Sequence, residues 1–287
     1  MHNGEPWAWF RAHESFLNLF LQVGDCGQLC HTERMGLSAT FFDTLAIAAR
    51  QVVADAGDRR TPYESKIADG FDPVTEMDRG IERALRALIG EAFPDDSIRG
   101  EEFGWSGEGG RRCWSLDPID GTRAFICGLP SWSTLVGVID GEAHVAGMID
   151  LPMLDERLIA TGGTTLRNGR LVATSGCETI ANARLSTTDP FLFEGKEAAA
   201  FDRVRQAALV TRYGLDALAY ARVATGDLDL VMESGLKRYD LDALVAVVRG
   251  AGGAIGDWDG GSDWDGGQIV AASSAALYAE AVALLAE

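Results

Sequence analysis

Two aspartates three residues apart, Asp117 and Asp120, lie in the segment Asp-Pro-Ile-Asp-Gly-Thr at positions 117–122. The segment follows a mainly apolar run at 113–116 that predicts a buried strand. Carboxylate oxygens are the ligands that Mg²⁺ prefers, and backbone N–H groups at the start of a helical turn bind anions. The spacing therefore indicates a site for a cation and a phosphate group, with an ordinary Asp-rich turn as the alternative.

Pro118 and Gly121 predict where this strand ends. Proline has a fixed φ and no N–H, so we expect the chain to leave the sheet at Pro118. Glycine permits a turn that other residues resist, so Gly121 should shape the turn that follows. The carboxylates would then converge on a junction between a strand and a turn.

Acidic residues elsewhere in the chain could complete this site. Asp78 is the third residue of a helix predicted over 76–92, with Thr75 as its N-cap, so it either completes a capping box or orients a water molecule. Glu101 and Glu102 end a predicted short strand, and adjacent side chains on a strand point to opposite faces. The inward carboxylate of this pair is costly to bury unless a cation neutralises it, which favours a metal ligand.

Asp240 and Glu233 belong to a second acidic region. Asp240 begins a helix predicted over 239–251, where aspartate is a frequent cap, so capping and metal binding are both open for it. Glu233 ends a predicted strand seven residues earlier and faces the same loop.

Hydrophobic periodicity predicts the elements that must position these acids. The first half should be rich in antiparallel strands, and the second half should alternate strands with helices, which indicates an α/β layer. The predicted helices cover 38–56, 76–92, 201–209, 215–224 and 239–251, and the predicted strands cover 97–102, 134–139, 144–150, 157–160, 171–173, 183–187, 228–232 and 269–272.

We expect three parts along the chain. Residues 1–34 carry no integrated pattern and predict a dispensable extension, with the working domain starting near Met35. Residues 35–180 should form an α+β domain that carries most of the metal ligands, and residues 181–287 an α/β domain. No low-complexity linker separates the last two, so we expect them to pack tightly.

The composition excludes several classes of protein. The 287 residues carry a formal net charge of −18, which argues against binding to nucleic acid, because that binding depends on basic side chains. No apolar run is long enough to span a membrane. Five cysteines without paired spacing fit a reducing compartment, and no basic cluster precedes the short apolar stretch at 15–23, so we expect a cytoplasmic protein.

Glu101, the 117–122 segment and Tyr239-Asp240, in this order and spacing, resemble the inositol monophosphatase-like family of Mg²⁺-dependent phosphatases. The resemblance runs from about residue 35 to the C-terminus. It implies a layered α-β-α-β-α sandwich and metal-assisted hydrolysis of a phosphate monoester. Tyr239 departs from the Trp of many members but keeps an aromatic ring at that position.

The resemblance also implies a set of metal ligands. One Mg²⁺ would be bound by Glu101, Asp117 and the Ile119 carbonyl. A second would be bound by Asp117, Asp120 and Asp240, so that Asp117 bridges the two ions. Two cations several Å apart can serve the attacking water and the leaving oxygen of an in-line displacement.

Further roles follow from the same resemblance. A looser third ion near Glu101 and Asp78 is open, and Asp78 is counted among the catalytic residues. Thr122 and Glu101 would orient or deprotonate the attacking water. Gly121 and Thr122 match a phosphate-binding backbone, and Glu233 matches an acid that contacts the substrate.

Within the family, the segments 120–125, 128–132 and 235–240 are most similar to the histidinol-phosphate phosphatase branch. Histidinol phosphate carries an ammonium group and an imidazole, which Asp216 and Glu233 could pair with, and Asp240 would border the same substrate. Asp216 could equally be an exposed helix residue.

The resemblance therefore predicts a phosphatase of a small phosphorylated metabolite, histidinol phosphate, in histidine biosynthesis. An inositol-1-phosphate or broad sugar-phosphate phosphatase is the alternative on the same fold, and a metal or metabolite sensor is the alternative without catalysis. The family commonly forms homodimers and is inhibited by lithium, and both properties are expected here on that ground alone.

Overall fold

The computed structural model describes residues 36–56, 63–65 and 73–287, so the predicted extension at 1–34 lies outside the described residues. The helices are α1 (Ala39–Ala56), α2 (Glu76–Ala92), α3 (Thr122–Ile126), α4 (Lys196–Ala207), α5 (Ala217–Ala224), α6 (Arg238–Gly250) and α7 (Ala275–Leu285). The strands are β1 (Tyr63–Ser65), β2 (Pro73–Thr75), β3 (Ser97–Gly100), β4 (Gly104–Ser106), β5 (Arg112–Asp120), β6 (Ser133–Asp140), β7 (Ala143–Leu151), β8 (Glu156–Thr161), β9 (Thr164–Arg167), β10 (Arg170–Leu171), β11 (Arg184–Thr187), β12 (Val210–Tyr213), β13 (Leu230–Glu233), β14 (Ala254–Gly256) and β15 (Ile269–Ala272).

The first half of the chain forms an eight-stranded sheet in the order β10-β9-β8-β7-β6-β5-β3-β4. Its neighbours run antiparallel except for β3 and β5, which are parallel. The antiparallel-rich first half is therefore as predicted. Because β5, β6 and β7 are antiparallel neighbours, the C-terminal ends of β5 and β7 lie on either side of the N-terminal end of β6. The 117–122 segment begins in the C-terminal part of β5.

The second half forms a five-stranded sheet in the order β12-β11-β13-β15-β14. β11 is parallel to both β12 and β13, with α4 and α5 in the connections, whereas β15 is antiparallel to β13 and β14. Strands separated by helices thus give the mixed α/β layer expected from the sequence.

Alternating side chains on the strands build separate hydrophobic cores on the two faces of each sheet. On β6, Leu135 packs into a core with α5 and α6, while Val136 packs into a core with α1 and α2. On β13, Val231 faces α5 and α6, and Met232 faces α4 and α7. The layers therefore run α1/α2, eight-stranded sheet, α5/α6, five-stranded sheet, α4/α7, which confirms the predicted α-β-α-β-α sandwich.

The strand β5 does not end at Pro118, contrary to the expectation from sequence. It continues to Asp120, with a shift in its pairing to β6 between Asp117 and Asp120. On its other side, pairing with β3 stops at Leu116. Pro118 therefore lies where neither neighbouring strand uses its missing N–H, and the turn begins only at Gly121, whose φ is 75°.

Several elements differ from the predicted boundaries. The helix predicted over 201–209 starts at Lys196 and ends at Ala207, and the strand predicted at 171–173 is limited to Arg170–Leu171. No strand was predicted for β1, β2, β4, β9, β12 or β14, because each is only three or four residues long. The helix α7 was also not predicted, because it is apolar on most of its surface. The hydroxyl of Ser274, which accepts a hydrogen bond from the Leu277 N–H, was the available sign of the start of α7. Of the helices in the described ranges, none is both long enough and apolar enough to cross a membrane.

Candidate active site

The candidate active site is a cavity of about 360 Å³ that receives side chains from both sheets. All but one of the predicted site residues line it: Glu101, Asp117, Ile119, Asp120, Gly121, Thr122, Asp216, Glu233 and Asp240. The exception is Asp78, which is buried in the first turn of α2.

The end of β5 positions the first two acids. Asp117 is only 3% exposed, and its Oδ1 has no hydrogen-bond partner among the residues that the structure describes. Asp120 Oδ2 accepts hydrogen bonds from the Ser133 hydroxyl, at 3.1 Å, and from the Ala217 N–H, at 2.9 Å. Since Ser133 begins β6 and Ala217 begins α5, Asp120 is held from both halves of the chain.

Glu101 lies in the turn between β3 and β4 and not on a strand, so the strand-alternation argument for this residue was wrong. β3 ends at Gly100, and the Glu101 N–H donates to the Leu116 carbonyl at 3.1 Å. Glu101 lines the cavity, while the Glu102 carboxylate is buried near the guanidinium of Arg79, at 4.0 Å. The turn therefore buries one acid beside a cation and presents the other to the cavity.

Asp240 is the third residue of α6 and not its cap, which corrects the sequence-based expectation. Lys237 is the N-cap residue, and its N–H donates to Asp240 Oδ2 at 2.6 Å. An acid at the third position that reaches back to the cap is half of a capping box. Asp240 therefore accepts the N–H of the N-cap residue with one oxygen and also lines the cavity, so a role at the helix start and metal binding do not exclude each other.

Gly121 and Thr122 form the turn at the mouth of β5. A Cβ at Gly121 would lie 2.8 Å from Asp216 Oδ2, so a residue with a side chain would collide there as well as strain the positive φ. The Thr122 hydroxyl donates to the Ile119 carbonyl at 3.0 Å. The turn thus brings a hydroxyl, a carbonyl and the Asp216 carboxylate together.

Asp216 and Glu233 line the same cavity from the second half of the chain. Asp216 directly precedes α5, with φ 49°, and faces the cavity, so the alternative of an exposed helix residue does not hold. Glu233 ends β13, is buried, and accepts hydrogen bonds from the Thr188 N–H at 2.7 Å and the Thr188 hydroxyl at 2.9 Å.

Sequence reasoning missed three residues that shape this cavity. Ser133 donates to Asp120 and Thr188 donates to Glu233. Tyr220 lines the cavity with a buried hydroxyl that has no hydrogen-bond partner among the described residues. Ser133 directly precedes the strand predicted over 134–139 and Thr188 directly follows the one predicted over 183–187, which was the available signal. Tyr220 lies within the helix predicted over 215–224, and its position there gave no sign that it lines the cavity.

Residues 38–287 match the inositol monophosphatase family. The chain belongs to this family. The chloroplastic bifunctional phosphatase IMPL2 of Arabidopsis thaliana is 41% identical over 233 residues, covering 78% of this chain and 67% of that protein. A histidinol-phosphatase of Streptomyces coelicolor is 32% identical over 264 residues, covering 85% of this chain and 97% of that protein.

A solved structure of an inositol monophosphatase from Zymomonas mobilis has a TM-score of 0.77 and 35% identity, and the alignment covers 86% of this chain and 97% of that one. Inositol monophosphatase family members are phosphatases of small phosphorylated metabolites, and the family generally uses Mg²⁺. The family and the fold predicted from the sequence are therefore confirmed.

Burial and mutual repulsion raise the pKa values of the clustered carboxyls in this family member. Burial, then the charges of Glu101, Asp120 and Asp240, hold the pKa of Asp117 well above its usual range. Burial, followed by the charge of Asp216, does the same to the pKa of Asp120. Burial also raises the pKa of Asp240 to about 7. These carboxyls resist sharing the cavity as anions unless positive charge joins them.

The donor set fits Mg²⁺. It consists of oxygens alone, which suit a hard cation, and within the described part of the chain no donor uses the lone pair of Asp117 Oδ1. Asp117 lies close to both Glu101 and Asp240, although within the described ranges no three His, Cys, Asp or Glu side chains form a ready metal cage. The fit therefore rests on donor chemistry and on the Asp117 oxygen.

Glu233→Gln is expected to stabilise the metal-free protein at pH 8 by about 2 kcal/mol. The variant avoids burying a charged carboxylate, and a pKa raised by burial corresponds to a free-energy cost of this order. Burial raises the pKa of Glu233 to about 7 from 4.5, so between these values the folded state binds more protons than the unfolded state. The wild type should therefore gain stability as the pH falls from 7 towards 4.5, and the advantage of the variant should shrink with it. The Gln oxygen can still accept from Thr188, and its NH₂ can donate to the Thr187 hydroxyl.

Urea unfolding at pH 8 and pH 5, with a chelator present, measures this difference. Glu142→Gln changes an exposed acid on the β6–β7 turn in the same way and should have no effect at either pH. A Glu233→Gln protein that is no more stable than the wild type at pH 8 would contradict the assignment of a costly buried charge.

Proposed function

We propose that the chain is a Mg²⁺-dependent phosphatase that hydrolyses histidinol phosphate, a step of histidine biosynthesis. The observation that carries the substrate is the pair Asp216 and Glu233, two acids that line the cavity beyond the predicted metal ligands. Burial raises the pKa of Asp216 to about 6 and that of Glu233 to about 7. The charge of Arg123, which also lines the cavity, lowers the pKa of Asp216 but does not outweigh the effect of burial. A cationic substrate such as histidinol phosphate would add positive charge beside both carboxylates.

The proposed metal ligands follow the assignment made from the sequence. Glu101, Asp117 and the Ile119 carbonyl would hold one Mg²⁺, and Asp117, Asp120 and Asp240 a second. When bound, the ions neutralise the clustered carboxylates and stabilise the negative charge that develops on the phosphoryl and leaving oxygens. The count of two ions, and a third near Glu101 and Asp78, remain predictions.

The chain's own residues would perform the remaining tasks. The Thr122 hydroxyl and the Glu101 carboxylate border the space where a water molecule can be oriented and can lose its proton. The backbone N–H groups of Gly121 and Thr122 would hold phosphate oxygens. No protein nucleophile is needed, because the water attacks phosphorus in line with the leaving alkoxide. The homodimer, the cytoplasmic location and the separate domains 35–180 and 181–287 stay predictions beside this proposal.

Hydrolysis of inositol-1-phosphate or another sugar phosphate is the second candidate function. The 35% identity to an inositol monophosphatase structure supports it, and Glu233 could accept hydrogen bonds from neutral hydroxyls as well as from cations. A neutral polyol, however, gives Asp216 no charge to pair with. A sensor without catalysis is disfavoured because every predicted ligand lines the cavity.

Phosphate release from histidinol phosphate and from inositol-1-phosphate, each with Mg²⁺ and with a chelator, tests the proposal. We expect kcat/KM to be at least about 10-fold higher for histidinol phosphate, since one charged hydrogen bond is worth about 1.5 kcal/mol or more. Activity should disappear with the chelator and return when Mg²⁺ is added. A preference for inositol-1-phosphate would overturn the substrate, and Mg²⁺ binding without hydrolysis of either ester would favour a sensor.

A further inference from the structure

We propose that Glu82, which does not reach the cavity, is a positioning residue that sets the place of the metal ligand Glu101. Glu82 lies on α2 and is fully buried. Its Oε2 accepts the Glu102 N–H at 2.7 Å, and its Oε1 accepts the Phe103 N–H at 3.2 Å. Both carboxylate oxygens thus hold the two amides that directly follow Glu101. The inference rests on the proposed function, because it takes Glu101 to be a ligand.

Arg86 offsets the free-energy cost of burying the charged Glu82 carboxylate. Its Nε donates to Glu82 Oε1 at 2.7 Å, one helical turn along α2. Its other nitrogens donate to the Ser106 hydroxyl at 2.7 Å and to the Gly104 carbonyl. A buried carboxylate that is both paired and hydrogen-bonded avoids the cost of an isolated charge. Glu82 and Arg86 together are called here the Glu82 clamp. They form hydrogen bonds to the turn at 101–104 through the N–H groups of Glu102 and Phe103 and the carbonyl of Gly104.

Gly100 shows how closely the Glu82 clamp approaches the strand that precedes Glu101. A Cβ at this position would lie 1.9 Å from Glu82 Oε1 and 2.3 Å from its carboxyl carbon. No side chain fits in that space, so the carboxylate is seated directly against the end of β3. Glycine at position 100 is thus required for the Glu82 carboxylate to reach the turn.

Two anchors therefore fix the Glu101 backbone from different elements. The first is its own N–H, which donates to the carbonyl of Leu116, the residue before Asp117. The second is the Glu82 clamp, which reaches the turn from α2. The first anchor sets Glu101 relative to the predicted bridging ligand. The second sets it relative to Asp78, which lies four residues before Glu82 on the same helix.

This arrangement does more than stabilise the fold. A buried ion pair that only stabilised the fold could lie anywhere on α2. Here both carboxylate oxygens of Glu82 accept hydrogen bonds from the two amides that follow Glu101. Partners that orient metal ligands typically change metal affinity 10- to 100-fold when they are lost. The expected consequence is a specific loss of Mg²⁺ affinity.

Glu82→Gln tests the proposal on the full chain. Gln keeps the size of the side chain but turns an NH₂ group towards one of the two amides, so the turn must move. We expect the Kd for Mg²⁺, measured by isothermal titration calorimetry, to rise about 10-fold. The kcat should recover at saturating Mg²⁺, with the KM for the phosphate ester nearly unchanged. Glu91→Gln, the same change at an exposed position of α2, should leave the Kd as it is.

The outcomes separate the inference from the proposed function. A wild type that binds Mg²⁺ and a folded Glu82→Gln protein with the same Kd would show that the clamp is merely structural. A wild type that binds no Mg²⁺ would overturn both claims. Gly100→Ala, which pushes Cβ into the Glu82 carboxylate, is the second variant if Glu82→Gln does not fold. Its Kd should rise in the same direction, and a wild-type Kd would equally overturn the inference.

Discussion

Asp117→Asn is expected to lower kcat for phosphate release by about 10³-fold or more, equivalent to about 4 kcal/mol of transition-state stabilisation. Asp117 is the one predicted ligand of both ions, and no partner of its Oδ1 in the described ranges could compensate for a lost ion. Asn preserves the shape of the side chain but removes one negative charge and replaces one oxygen donor with an NH₂ group, which cannot bind a cation. Both ions should therefore bind more weakly at once.

Steady-state kinetics across a range of Mg²⁺ concentrations check this result. Asp140→Asn, at the end of β6 and outside the cavity, is the matched control and should be fully active. Burial raises the pKa of Asp117, so the folded state binds the proton that the unfolded state releases above its ordinary pKa. Asp117→Asn should consequently unfold at a higher temperature than the metal-free wild type above that pH. Near-normal turnover in the variant would refute the bridging role.

Asp216→Asn is expected to raise the KM for histidinol phosphate by about 10- to 100-fold, since a hydrogen bond to a charged group contributes about 1.5 to 3 kcal/mol. Asn has nearly the same size and shape as Asp, so it should keep the backbone conformation at φ 49° and ψ −141° and the close approach to Gly121. The kcat should change little, and the KM for inositol-1-phosphate should stay the same. Because burial raises the pKa of Asp216 to about 6, the wild-type KM should also rise as the pH falls below 6.

Asp189→Asn provides the control for Asp216, because Asp189 lines the same cavity but has no predicted substrate role. An equal rise in KM for both variants would mean that the overall negative charge of the cavity attracts the substrate. An unchanged KM in Asp216→Asn would remove Asp216 from the substrate site.

The sequence was informative where the signal was local. The Asp117–Asp120 spacing and Gly121 fall within six residues, so their common turn follows from backbone chemistry alone. The long amphipathic helix α2 and the β6–β7 hairpin were predicted for the same reason. Pro118 misled, because whether a proline breaks a strand depends on which neighbours pair beside it, and that is decided by the whole sheet.

Long-range contacts could not be predicted. In the sequence, Glu82 and Arg86 look like an ordinary ion pair four residues apart on a helix surface. Only the packing of α2 against the turn at 101–104 shows that Glu82 is buried and bound to amides. Asp216 was ambiguous for a similar reason, because the cavity that it faces is assembled from segments almost 100 residues apart.

The bond from the Ala217 N–H to Asp120 bears on how this protein can diversify. A backbone N–H is supplied by every amino acid except proline, so this hydrogen bond does not depend on which side chain stands at position 217. Proline is normally favoured at the first position of a helix such as α5, but it has no N–H to donate to Asp120. Position 217 therefore accepts residues small enough for its buried place in the core, but not proline, which would remove the hydrogen bond to Asp120.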